Sequence, residues 1–394
     1  MAGRQRLDQV DAIRPVKQSG VVATHVLIAF TPSWGAMAGN AALLLLHVCR
    51  ETFFFVSACM LTYAYLDLRR AGLRRFYWRR FVAVGIPYLC WDLIYWLWGM
   101  RGAGYPSVSA AIAHLGRLLA TGYYQLYFLL VIMQFYLVYP LVLALLKRTR
   151  GYHGLVIAVT AVAQLGICIL THWHLLPPVL ISYAQENALS YVLFLIGGAV
   201  VAFHLREADQ WLRANPHLVL ALTLVAAIFA EAVYYLSKHG VTTWLGSGND
   251  PFQPSVVPFN IGAIACVYLA GVTLVQPWRS RRVRAWVRVG VDNAYGVYLS
   301  QTLFITFLED HGWARLNEVI SWPLVILATV VIVYACGVLL TSLLARTPLA
   351  VPLTGRKQVP LMPRPRRTEP AERIEPGLRE PAALAGTTDN QNGN

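Results

Sequence analysis

The sequence predicts an all-α, polytopic transmembrane helical bundle of about ten transmembrane helices with both termini cytosolic. Three observations carry this expectation. Of the 394 residues, 57% are hydrophobic and only 13% are charged, about half the charged share of a soluble domain. Ten apolar runs each approach the roughly 20 residues that a helix needs to cross a bilayer core. The basic residues fall in the joints between these runs, and almost all on one side. The runs are continuous rather than alternating, which argues against a β-barrel, the other architecture that satisfies its backbone in lipid.

In chain order the expected spans are Val16–Ala36, Ala41–Leu66, Phe81–Met100, Tyr124–Leu146, Leu155–Leu170, Asn187–Phe203, Leu218–Leu236, Val256–Val275, Val291–Leu308 and Trp322–Leu344. With the N-terminus inside, 28 of the 33 Lys and Arg residues lie on the cytosolic side. They form groups at the start of span one, from Arg69 to Arg80, from Lys147 to Arg150, at Arg206 and Arg213, from Arg279 to Arg288 and from Arg346 to Arg379. Arg101, Arg117, Lys238 and Arg315 lie outside, and Arg50 sits within a span. A miscount by one span would scatter these groups over both sides, so the split supports the number of spans as well as the orientation.

Span one lacks a small-residue cleavage site and opens on Asp11, Arg14, Lys17 and Gln18, so it is expected to stay in the mature protein. Tyr105–Thr121 reads as a short interfacial helix, and Ser237–Ser255, rich in Gly, Pro, Asn and Asp, as a shaped outer loop. Residues 1–346 form the expected transmembrane domain. Residues 347–394, rich in Pro, Arg and Glu, read as a disordered cytosolic tail.

The formal charge of +14 marks the cytosolic face instead of one folded patch, which excludes nucleic acid as a partner. Phosphate-binding, dinucleotide, zinc-protease and nucleophile-elbow motifs are all absent. The six cysteines lie within spans with no metal spacing, and no metal site is expected.

Polar residues inside spans are costly and therefore functional candidates. Arg14 and His25 are eleven positions apart, about three helical turns, so both project from one face with His25 about 16 Å deeper. The second span carries His47, Arg50 and Glu51 at i, i+3 and i+4. An Arg50–Glu51 ion pair would neutralise a buried charge and leave a guanidinium able to orient a carbonyl or its oxyanion.

These residues resemble the acyltransferase-3 family of bacterial integral-membrane acyltransferases. The opening Arg6 to Arg14 followed by His25 looks like the start of that family. Phe53 to Ser57, Arg79–Arg80–Phe81 running to Pro87, Tyr124 to Leu129 with Pro140, and Tyr295 to Leu299 resemble its later segments in order. The chain departs from the family pattern at Ala58, where Gly is usual, and at Gln301, where His often stands.

The resemblance implies transfer of an acyl group, usually acetyl, from cytosolic acyl-CoA to a hydroxyl of a cell-envelope or exported glycan, glycolipid or similar acceptor. His25 would be the catalytic residue, with Arg14, Arg50 and Glu51 completing the catalytic set; direct transfer with the imidazole as base and a covalent acyl relay both stay open. Arg14, Arg75, Arg79 and Arg80 would meet the phosphates of the donor. Acyl-CoA would act as donor substrate with no permanently bound cofactor, and the protein would sit in the bacterial cell membrane with the lipid bilayer as its surroundings. Homo-oligomerisation stays open, as does a contrasting reading of the chain as a non-enzymatic exporter of a glycan or lipid-linked sugar.

Overall fold

In the computed structural model, which describes residues 8–241, 244–275, 280–356 and 358, the chain is all-helical, with no strand among the described residues. The helices are α1 Asp8–Phe30, α2 Ala36–Leu46, α3 Val48–Tyr65, α4 Leu73–Ala103, α5 Val108–Thr121, α6 Tyr127–Arg148, α7 His153–His172 and α8 Pro178–Ser182. After these come α9 Val192–Val201, α10 Leu205–Ala214, α11 Pro216–Lys238, α12 Val256–Leu274, α13 Arg281–Asp310, α14 Trp322–Leu344 and α15 Ala350–Thr354.

All ten expected spans fall on helices, yet length and apolarity alone give fewer crossings. Among the described residues seven helical stretches meet that standard, or eight if Ala188–Val201 and Leu205–Ala214, bent by 99°, count as one. Neither α1 nor α13 is among the seven. The reason is compositional: α1 carries Arg14, Lys17, Gln18 and His25, and α13, beyond its arginine-rich start, carries Asp292, Asn293, Ser300 and Gln301 within its apolar run. Helix α1 packs against α12, α13, α14, α2 and α3, and α13 is mostly buried from Gly290 to Ile305 while its arginine-rich start is mostly exposed. A polar helix at the centre of a bundle is shielded from lipid by its neighbours.

Local chemistry sets the helix ends. Helix α1 stops at Phe30 because Thr31 precedes Pro32, whose extended backbone (φ −69°, ψ 156°) cannot continue the turn. It therefore ends six residues before the expected Ala36, and His25 lies about one and a half turns from its C-terminal end. The second span is two helices, α2 and α3, joined at His47, where Arg50 N–H donates to the His47 carbonyl at 3.0 Å in a tightened turn. Ser107 caps α5, its hydroxyl accepting from Ala110 N–H, and Gly104 closes α4 in the left-handed conformation with φ 51°.

Two close approaches shape the interior. A Cβ on Gly20 would lie 2.2 Å from Cys49 Sγ, so glycine here makes room for the Cys49 side chain where α3 packs on α1. A Cβ on Gly198 would lie 2.2 Å from the Phe55 carbonyl oxygen, which seats α9 directly on α3. The main core fills the space between α3, α4, α6, α9, α12 and α13 with aromatic side chains, among them fully buried Phe54, Phe76, Tyr139, Tyr191 and Tyr298.

The segment after α14 differs from the sequence-based expectation. Residues from Thr347 onward were assigned to the tail, but α15 folds against α4, α13 and α14 with Ala350 and Thr354 fully buried. Trp91 Nε1–H donates to the Leu353 carbonyl at 3.0 Å, and the Arg356 guanidinium pairs with Asp292. Apolar residues Leu349, Val351 and Leu353 supply what the Pro/Arg/Glu-rich composition of the wider segment obscured. Arg6 of the opening motif and the tail beyond 358 lie outside the described residues.

Candidate active site

Helix α1 presents its polar residues on one face. Arg14 is exposed at the arginine-rich end, and one turn further Lys17 is buried with its ammonium 4.1 Å from the centre of the Phe53 ring. Gln18 donates to Gln301 on α13 at 3.5 Å. His25 follows two turns on, buried, with both ring nitrogens lacking any hydrogen-bond partner. An imidazole buried without a partner costs free energy unless something fills the space beside it.

That space exists. A cavity of about 250 Å³ is lined by His25, Thr24, Val21 and Ile28 from α1, by His47, Cys49 and Arg50, and by Tyr124, Tyr127 and Phe128. Gln185 and Pro251, from two loops at the arginine-poor end, complete the wall. Gly20 is what lets Cys49, and with it Arg50, stand across from His25. The Tyr124 ring lies against the His25 ring with centroids 4.7 Å apart and sits on a backbone of φ 42°. A tyrosine in the left-handed region is strained, and such strain clusters at functional sites.

Arg50 and Glu51 pair as expected. Arg50 Nε donates to Glu51 Oε1 at 3.0 Å and Nη2 to the same oxygen at 2.5 Å, both side chains being buried. The guanidinium is also held between the Tyr191 ring at 5.0 Å and the Phe252 ring at 4.6 Å, and its Nη2 reaches the Pro251 carbonyl at 3.4 Å. Glu51 Oε2 meets no donor. A neutralised, fixed guanidinium on a cavity wall can stabilise negative charge that develops on a bound carbonyl oxygen.

The predicted donor arginines separate into two groups. Arg75 and Arg79 point outward and, like Arg14, do not line the cavity. Arg80 turns inward, its guanidinium 4.8 Å from the Tyr65 ring and 6.0 Å from that of Tyr136, with a buried Nε that has no acceptor. Between Arg80 and the cavity runs an aromatic series. Tyr295 stacks on Tyr298 at 6.2 Å, Tyr298 on Phe53 at 6.0 Å, and Phe53 meets Phe128 edge-on at 5.6 Å.

His25, Arg50 and Glu51 thus come together, whereas Arg14, Arg75 and Arg79 stay at the arginine-rich end. Sequence reasoning passed over Lys17 as a topology residue, although its i+3 spacing from Arg14 on the His25 face signals its position. Gln185 carried no signal at all, because a single loop glutamine has no pattern. No group of three or more His, Cys, Asp or Glu that could hold a metal occurs among the described residues. A family model described as an acyltransferase domain matches residues 8–341, which include every residue that lines the cavity. No curated protein and no solved structure matches the chain.

Proposed function

The chain belongs to the acyltransferase-3 family of integral-membrane acyltransferases, and on that premise we propose that it moves an acetyl group from cytosolic acetyl-CoA to a hydroxyl of a cell-envelope or exported glycan or glycolipid. One observation carries the reading: an imidazole with both nitrogens free faces a cavity whose wall holds a charge-balanced arginine. Imidazole is the side chain whose ordinary pKa suits proton transfer near neutrality.

In the proposed step a free nitrogen of His25 takes the proton from the acceptor hydroxyl as its oxygen attacks the thioester carbonyl carbon. The carbon–oxygen bond forms, and the negative charge on the carbonyl oxygen faces Arg50. Collapse of this intermediate breaks the carbon–sulfur bond, and the imidazolium returns its proton to the departing thiolate. Glu51 acts through Arg50, balancing its charge and fixing its direction. Arg14, Arg75 and Arg79 sit where a donor's phosphates arrive from the arginine-rich side, which the basic-residue rule makes cytosolic. Lys17 and Arg80 lie between that side and the cavity. In this reading the protein resides in a bacterial cell membrane with both termini in the cytosol.

The test uses membranes from the native host and radiolabelled acetyl-CoA, comparing a deletion strain complemented with wild type, His25→Ala or His25→Gln at equal expression. Both variants are expected to lower acceptor labelling by at least about 100-fold. Labelling restored equally by His25→Gln would remove the proton-transfer role, and labelling absent with wild type would remove the acetyl-CoA donor.

A further inference from the structure

At the arginine-poor end, two loops hold an aromatic pair that the proposed chemistry does not use. The indoles of Trp173, at the end of α7, and Trp244, in the loop before α12, meet with ring centroids 4.4 Å apart and a 40° tilt. Trp244 is 66% exposed, while the Trp173 Nε1–H is buried and meets no acceptor. Trp173 is followed by His174, a non-glycine residue with φ 53°, so the turn that presents the indole is held in an unfavourable backbone region.

This pair is tied to the cavity wall. His172, next to Trp173, has its Nδ1 3.7 Å from a carboxylate oxygen of Asp250, and Asp250 precedes Pro251, which lines the cavity and contacts Arg50. The other Asp250 oxygen accepts from Phe252 N–H at 2.8 Å, which fixes the loop that carries it. Gln185, exposed at the same end, borders the cavity from the opposite loop. The Asp250 carboxylate thus sits one residue from the wall residue Pro251 and holds His172 beside the indole pair, while the Gln185 amide belongs to the wall itself.

Such a surface is complementary to a molecule with C–H groups on one face and hydroxyls around its rim. Indole offers a large rigid apolar face with little ordering cost, and the carboxylate and amide accept and donate hydrogen bonds at its edge. We propose that Trp173, Trp244, Asp250 and Gln185 form a carbohydrate subsite in which a pyranose ring stacks on Trp244 and directs one of its hydroxyls toward His25. The subsite rests on the reading of the acceptor as a glycan. A membrane-interface belt would also place tryptophans near helix ends, but it requires neither the tie to Asp250 nor the strained turn at His174.

The protein in lipid nanodiscs, with no acyl donor, is mixed in turn with maltohexaose, laminarihexaose, mannotetraose and tetra-N-acetylchitotetraose, and saturation-transfer NMR reads the bound sugar. At least one oligosaccharide is expected to bind through its ring C–H protons. Trp244→Ala and Asp250→Asn are expected to weaken it by about tenfold, whereas Trp34→Ala, another exposed tryptophan, leaves it unchanged. Binding of none of the four sugars, or equal binding by wild type and Trp244→Ala, overturns the subsite. An effect of Trp244→Ala confined to incorporation into nanodiscs assigns the pair to the lipid interface and also overturns it. Because no donor is present, a failure of acetyl transfer leaves this outcome readable on its own.

Discussion

Arg50 and Glu51 show how two adjacent side chains serve stability and chemistry at once. Both are buried, and each is tolerable only because the other is there. Glu51→Ala leaves the guanidinium unpaired and is expected to cost about 3–5 kcal/mol, seen as a lowered melting temperature by size-exclusion chromatography of the detergent-solubilised protein. The double change Arg50→Met with Glu51→Leu removes both charges, so it should regain most of that stability while acyl transfer stays absent. Recovery of transfer in the double variant would show that the pair is purely structural. The pairing was legible in the sequence from adjacency within an apolar run, and the shared face of Arg14 and His25 from helical periodicity. What periodicity could not give was the separation of roles, because Arg14 and Arg79 end up exposed while Lys17 and Arg80 turn inward. Direction along a helix is local, whereas the choice between lipid, solvent and interior depends on which helices pack alongside.

Among the helices, the contacts of α3 decide the shape of the cavity. Its two glycine-mediated contacts predict different responses to the same substitution. Gly20→Ala meets the Cys49 side chain, so adding Cys49→Ala should restore the melting temperature. Gly198→Ala meets the Phe55 backbone carbonyl, which no side-chain change removes, and is expected to cost about 1–3 kcal/mol whatever accompanies it. A rescue of Gly198→Ala by a change at Phe55 would contradict the backbone contact. Spans rich in Leu, Val and Ile were readable because only a helix satisfies so long an apolar run. The break at His47 and the early stop at Phe30 were not, although Pro32 was visible, because the sequence on both sides of each remains apolar. Hydropathy measures where a chain prefers lipid and is blind to where its backbone turns.

At the level of the molecule, α1 and the later part of α13 pack among more apolar helices, and α15 folds back against α4 and α13. A chain ended at Arg346 loses α15 and leaves the Trp91 indole N–H without its acceptor, a cost of about 1–3 kcal/mol for that bond alone. It should melt below a chain ended at Val359, and equal melting would show that α15 contributes nothing. The family match and the all-helical fold agree with what composition and motif order implied, while the folded stretch from Thr347 to Arg356 does not appear in averages over a Pro-rich tail. One further consequence follows from the contact at Gly20. Of the six cysteines, all free, Cys49 borders the cavity. A small methanethiosulfonate reagent entering the cavity should therefore modify this thiol, and an acyl donor or acceptor already seated there should slow the modification. With Cys49 as the reporter, the rate at which the mixed disulfide forms and methanesulfinate leaves becomes a gauge of occupancy that needs no turnover.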